Sequence, residues 1–218
     1  MFNQDRAIRS FSRRIGKRLS KSQQELLEEE LPGFLVNPEH PLQKVESYKK
    51  AALEIGIGMA EHFINQCVLN PDTFFIGSEP YLNGIANCLK LAKEYKIKNF
   101  SLWPDDADLI IKNIPPNSLN KVFILFPDPW PKTKQKKRRF AQSTRIRAIK
   151  HKLKDRSELI FASDIKDYVT EVLSIAISEG FSYSNKKGGP HQGYVQTKYH
   201  SKAISEGREA QFLILEKS

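Results

Sequence analysis

The 218-residue chain is poor in cysteine and lacks any apolar run near the roughly 20 residues that a membrane span requires. Its two cysteines, Cys67 and Cys88, are not in a CxxC arrangement, and its histidines do not cluster. Neither a disulfide framework nor a zinc site is suggested, and no metal is expected. The simplest reading is a cytoplasmic protein with reduced thiols, Cys88 lying on a buried helix face. The opening MFNQDRAIRSFSRRIGKRLSKSQQ has no apolar segment behind its positive charges, so it does not read as a secretory signal. Its wealth of Arg and Ser and its shortage of acids also fit a mitochondrial targeting arm.

Acids are in deficit overall: 25 Asp and Glu face 35 Lys and Arg, a formal net charge of +10. A surplus of that size favours a polyanionic partner, nucleic acid before an acidic membrane surface, although a merely soluble basic surface has the same charge. The basic residues gather in two places. One is the N-terminal segment with Arg6, Arg9, Arg13, Arg14, Lys17, Arg18 and Lys21. The other is the KTKQKKRR run with Lys132, Lys134, Lys136, Lys137, Arg138 and Arg139. With 39% hydrophobic and 28% charged residues, the chain otherwise has an ordinary globular composition.

Apolar runs bounded by turn residues predict strands near 51–55, 73–76, 121–126 and 158–162, and segments 181–183 and 210–215 could close the chain as a hairpin. Helical periodicity appears over 84–95, where Ile85, Cys88, Leu89 and Ala92 share a face. It recurs in Ile146, Ile149 and Leu153, and in Tyr168, Val169, Val172, Leu173, Ala176 and Ile177. Alternating strands and helices predict an α/β fold with a largely parallel sheet covered on both faces. The domain reading is a partly flexible basic arm over residues 1–40 followed by one α/β domain over 41–218.

Ligands of open α/β sheets bind beyond the carboxyl ends of the strands. At those ends the sequence places Glu54 with Gly56 and Gly58, then Glu79, then Asp105 and Asp106, then Asp128, then Asp164. Singly each is bland: a GxG occurs in many turns, and acids at loop starts are commonly helix caps. An acid at every strand end is harder to explain by capping. It suggests a cationic or hydroxyl-rich ligand, and a nucleoside bearing a sulfonium centre meets both descriptions. The FPDPWPK segment, residues 126–132, is the most specific feature. Pro127, Pro129 and Pro131 fix φ and restrict their predecessors, so the loop is rigid and Asp128 is pre-oriented. Trp130 offers a stacking face, though a stiff turn with a packed indole would look the same. The KTKQKKRR run is too charged for a core and reads as a solvated loop or a phosphate clamp.

In this order the segments RSFSRRIGKRLSKSQQ, LEIGIG, FIGSE, DDAD, FPDPWPK with KKRR, ASD and TKY resemble the bacterial tRNA (guanine-N7)-methyltransferase family over nearly the whole chain. The resemblance implies the Rossmann-like class I methyltransferase fold, doubly wound and mostly parallel with one antiparallel strand near its edge. It also implies methyl transfer from S-adenosylmethionine to N7 of a guanine in the tRNA variable loop, commonly position 46. By motif, Glu54, Gly56, Gly58, Glu79, Asp106 and Asp128 would bind the cofactor, with Asp128 also catalytic. Lys132, Asp164, Thr197 and His200 would contact the substrate. Lys134, Lys136, Lys137, Arg138 and Arg139 would hold RNA phosphates, the target base would leave its stack, and the chain would act as a monomer or homodimer. Two departures stand out: Ala60 replaces the last glycine of GxGxG, and His200 replaces the acid of Thr-x-x-Glu. Ser78 and Pro80 beside Glu79 are also atypical. Competing readings are an exocyclic-amine methylase using Asp128-Pro129-Trp130, a nicotinamide-dependent oxidoreductase using the glycine loop and Glu79, and an RNA-binding module without catalysis.

Overall fold

The computed structural model describes residues 18–183 and 189–218. The strands alternate with helices as their residue patterns require. Strand β1 (Lys50–Ile55) leads through α3 (Glu61–Leu69) to β2 (Thr73–Ser78), and α4 (Leu82–Tyr95) leads on to β3 (Phe100–Trp103). After α5 (Ala107–Asn113) the chain returns to the far side of β1 as β4 (Leu119–Leu125), and α6 (Ser143–Lys152) runs straight into β5 (Leu153–Ser163). Then follow α7 (Lys166–Ser178), β6 (Phe181–Tyr183), α8 (Lys198–Ser205) and β7 (Gln211–Lys217). Among the described residues the sheet has seven strands in the order β3-β2-β1-β4-β5-β7-β6. β1 pairs in parallel with β2 and β4, β4 with β5, and β2 with β3, whereas β7 runs antiparallel to both of its neighbours. The one reversed strand is therefore next to the edge, as expected, and the order reverses between β1 and β4, which opens the crevice where ligands bind in such sheets.

Continuous burial along β1 and β2 reflects helices on both faces. Alternate residues feed two cores. Ala51, Leu53, Ile124 and Phe161 point to α5, α6 and α7, while Ala52, Phe75, Phe123 and Ile160 point to α3 and α4. Ile85, Cys88, Leu89 and Ala92 are all buried on α4, as their spacing predicts. Three local readings shift. Leu153 opens β5 instead of ending a helix, because α6 and β5 have no loop between them. Ile177, read as part of an apolar stripe, is 51% exposed near the end of α7. Segments 181–183 and 211–217 pair antiparallel, but the long connection between them carries α8.

Part of the segment read as an arm is built into the fold. Helix α1 (Lys21–Glu29) starts in a capping box, with Gln23 N–H donating to Ser20 Oγ at 3.2 Å and Ser20 N–H to Gln23 Oε1 at 3.0 Å. A short helix α2 (Leu31–Phe34) follows, Phe34 stacks on Phe100 with centroids 4.6 Å apart, and Val36 N–H donates to Leu102 O at 3.0 Å. These contacts cover the β3 edge of the sheet, which would otherwise expose unpaired backbone. Residues 1–17 lie outside the described residues.

Candidate active site

Beyond β1 the backbone turns through Gly56 at φ 77° and Gly58 at φ 56°, both left-handed conformations that favour glycine. Gly58 N–H donates to Glu79 Oε2 at 2.8 Å, and Tyr81 N–H donates to Glu79 Oε1 at 2.9 Å, so the acid after β2 locks the glycine loop. Helix α4 crowds the same loop. A Cβ on Gly84 would stand 2.0 Å from Gly58 O, and Asn87 Nδ2 donates to Met59 O at 2.7 Å. Ala60 adopts φ 66°, where an L-residue costs about 1–2 kcal/mol. The third position of the glycine motif thus needs αL backbone, and Ala60 occupies it with a fully buried methyl.

Burial raises the Glu79 carboxyl from its usual 4.5 to about 7; the two backbone donors oppose this, and the charges of Asp128 and Glu54 add to it. Burial likewise raises Asp128 and Asp106. Carboxyls crowded so that they resist ionisation suit a ligand bringing hydroxyl donors and positive charge. Glu54 itself is 2% exposed and tied to His62, whose Nδ1 lies 2.8 Å from Glu54 Oε2 and whose Nε2 lies 2.9 Å from His191 Nε2. Burial first, then the charges of His62 and Lys121, drive His191 down to about 3, so it is neutral at pH 7. Asp106 caps α5, accepting from Asp108 N–H at 3.0 Å, and its electrostatic neighbours are Asp108, Arg145 and Asp105. Glu54, Glu79 and Asp128 are not among those neighbours.

The FPDPWPK loop leaves β4 by a sharp turn. Phe126, at φ 50°, donates its N–H to Ala162 O at 2.8 Å, and Trp130 stands at φ 40°. Two bulky aromatics in the left-handed region bracket Asp128. The expected phosphate clamp divides. Lys132, Lys134 and Lys137 are exposed. Lys136 pairs with Asp167 at 2.9 Å, and Arg138 lies 5.0 Å from the Trp130 ring centroid. Arg139 is a correction: its side chain is 0% exposed and cannot reach a phosphate. Its Nε donates to Pro129 O at 2.9 Å, one terminal nitrogen meets Asp167 at 2.8 Å, the other meets Glu171, and the guanidinium lies 4.6 Å over Tyr168.

Of the residues expected to contact substrate, Asp164, Thr197 and His200 lie near one another beyond β5. Asp164 accepts from Arg208 Nε at 2.6 Å. Thr197 caps α8, its Oγ1 accepting from His200 N–H at 3.2 Å. His200 Nδ1 lies 2.9 Å from Tyr194 Oη, its ring stacks on Phe126 at 5.4 Å, and burial lowers its pKa. A cavity of about 500 Å³ opens here, lined by Pro190, His200, Ile204, Arg208, Glu209 and Phe212 among others. Tyr199, 58% exposed, lies 3.9 Å from where a Gly58 Cβ would stand; burial and the charges of Asp128 and Glu79 raise its pKa. That places the start of α8 over the glycine turn.

Sequence reasoning missed His62, His191, Tyr194, Gly84 and Arg208. Asn65 Nδ2 and Gln66 Nε2 both donate to Gly193 O, at 2.9 and 2.8 Å, so α3 grips the turn that precedes α8. Only Gly84, at the start of a helical pattern, carried a local signal. The others show themselves only in the folded chain: His62 meets His191 129 residues away, Arg208 meets Asp164 44 residues away, and Tyr194 meets both His200 and His62.

A sequence model described as a putative methyltransferase matches residues 48–213. The chain is 48% identical over 211 residues to a bifunctional methyltransferase of Rickettsia typhi, covering 95% of this chain and 40% of that protein. It thus spans about two fifths of the length of such relatives. It is 38% identical to the tRNA (guanine-N(7)-)-methyltransferase of Hyphomonas neptunium, covering 94% of this chain and 98% of that one. The fold matches the crystal structure of the 16S rRNA methyltransferase KamB with a TM-score of 0.58, 11% identity and coverage of 82% and 93%. Glycine turn, acids and reversed strand thus stand on a class I methyltransferase fold, and the chain belongs to the tRNA (guanine-N(7)-)-methyltransferase family.

Proposed function

We propose that this chain transfers a methyl group from S-adenosylmethionine to N7 of a guanine in tRNA, at position 46 of the variable loop, in the cytoplasm. The observation that carries the reading is Glu79 bound to the glycine turn with Asp128 and Glu54 acting on it. S-adenosylmethionine, when bound, supplies an electrophilic methyl on a sulfonium centre. Glu79 keeps acceptor capacity beyond its two backbone bonds and serves ribose hydroxyls, while Glu54 and Asp106 add negative charge around the cation. Gly56 and Gly58 let the backbone approach closely.

Guanine N7 has an in-plane lone pair and no proton, so no base is needed. The lone pair forms the N–C bond as the S–C bond breaks, and positive charge passes to the guanine ring. The protein's task is alignment plus a fixed carboxylate for that charge, and Asp128 supplies it. Asp164, Thr197 and His200 hold the base, Trp130 lines its pocket after it leaves the stack, and Lys132, Lys134 and Lys137 with the basic residues of the N-terminal segment take phosphates. Incubation with unmodified tRNA and a labelled methyl donor, followed by nucleoside analysis, tests the proposal. The expected product is 7-methylguanosine; label on an exocyclic amine, or none, would overturn it.

A further inference from the structure

We infer that Arg139 is a positioning residue that staples the Asp128 loop to α7. The inference rests on the proposed role of Asp128. Three prolines leave residues 127, 129 and 131 without an N–H, so this loop has few backbone donors with which to hold itself. It also carries Phe126 at φ 50° and Trp130 at φ 40°, conformations that persist only where surroundings enforce them. An outside donor acting on a loop carbonyl is the remedy, and Arg139 Nε reaches Pro129 O, the carbonyl of the residue next to Asp128, at 2.9 Å.

The donor is itself fixed. Asp167 and Glu171, one turn apart on α7, take the two terminal nitrogens, and Tyr168 between them lies under the guanidinium plane at 4.6 Å. Tyr168 Oη accepts from Ala141 N–H at 3.0 Å, which pins the chain just after Arg139. Lys136 shares Asp167, so the site balances two cations against two carboxylates. A planar fork serves three acceptors in three directions at once, which a lysine ammonium on a flexible stem does not reproduce.

The test uses the full chain and three variants: Arg139→Lys, Glu171→Gln and Lys134→Ala/Lys137→Ala. For Arg139→Lys the expected result is a kcat on the order of ten- to a hundred-fold lower, with tRNA affinity and its salt dependence within about two-fold of the parent. Glu171→Gln, which keeps a cation and loosens one anchor, gives a smaller loss of the same kind if the lysine variant fails to fold. The double lysine variant shows the converse: weaker tRNA binding with a flatter salt dependence. Independently of methylation, Trp130 fluorescence in a Trp103→Phe background becomes more accessible to acrylamide in the Arg139 and Glu171 variants, but not in the double lysine variant. Quenching therefore reads the staple even if 7-methylguanosine formation fails. An Arg139→Lys protein with parental kcat and quenching, or one whose defect lies in tRNA salt dependence alone, overturns the inference.

Discussion

His62 Nδ1 stands 2.8 Å from Glu54 Oε2, and both side chains are almost wholly out of water, at 1% and 3% exposure. A strand-end carboxylate expected to face a ligand is thus also half of a buried pair. Replacing His62 by Leu leaves that carboxylate without its partner, and an unpaired buried charge typically costs about 3–5 kcal/mol. Urea denaturation of His62→Leu should show a loss of that order. Adding Glu54→Gln in the same background should recover part of it; no recovery would mean the histidine acts through packing alone.

Glu79 makes stability depend on pH. Its carboxyl holds a proton up to about 7 in the folded chain and only to about 4.5 when unfolded, so the native state binds more protons between those values. Stability from this group is therefore fullest below pH 4.5 and declines as pH rises to 7, by roughly 3 kcal/mol in all. Melting temperature against pH should show this decline in the free protein and a flatter curve in Glu79→Gln. Because hydroxyl donors favour the ionised acid, S-adenosylmethionine should bind with release of protons near pH 6–7, seen as a dependence of the calorimetric heat on buffer ionisation enthalpy.

Asp128→Ala removes the carboxylate bracketed by the two left-handed aromatics. Formation of 7-methylguanosine should fall at least about 100-fold, the scale of a lost electrostatic stabiliser. Binding of tRNA in a filter assay should persist, since the exposed lysines are untouched. Full activity would remove Asp128 from the chemistry.

Ala60→Gly relieves a left-handed alanine worth about 1–2 kcal/mol and forfeits a buried methyl worth about 0.8 kcal/mol. The net expectation is a gain of up to about 1 kcal/mol, or roughly 2–4 °C in Tm for a chain of this size. A lower Tm in calorimetry would show that the methyl's packing outweighs the strain.

The periodic segments and the strand-end acids were legible because they are local. Alternation and 3.6-residue spacing report burial face by face, and an acid just past an apolar run lies at the ligand end of a parallel strand wherever that strand sits. The KTKQKKRR run shows the limit of such reading. Charge marked all of it as surface, yet Arg139 is buried while Lys134 and Lys137 are exposed, because α7 places Asp167 and Glu171 where they compensate one guanidinium. Ala60 looked like a simple departure from a glycine motif. Only the backbone shows that its position is left-handed and that the departure carries strain.

By itself, then, the sequence determined the fold class, the carboxyl-end placement of Glu54, Glu79, Asp106, Asp128 and Asp164, and a surplus of positive charge for a polyanion. Those properties follow from composition and short-range pattern. Tertiary structure decided which acids act together, that His62 and His191 join the Glu54 strand to the C-terminal loop, and that Arg139 holds the proline-rich loop. Each of these depends on distances between residues far apart in the chain, and only the packing of helices on the sheet sets those distances.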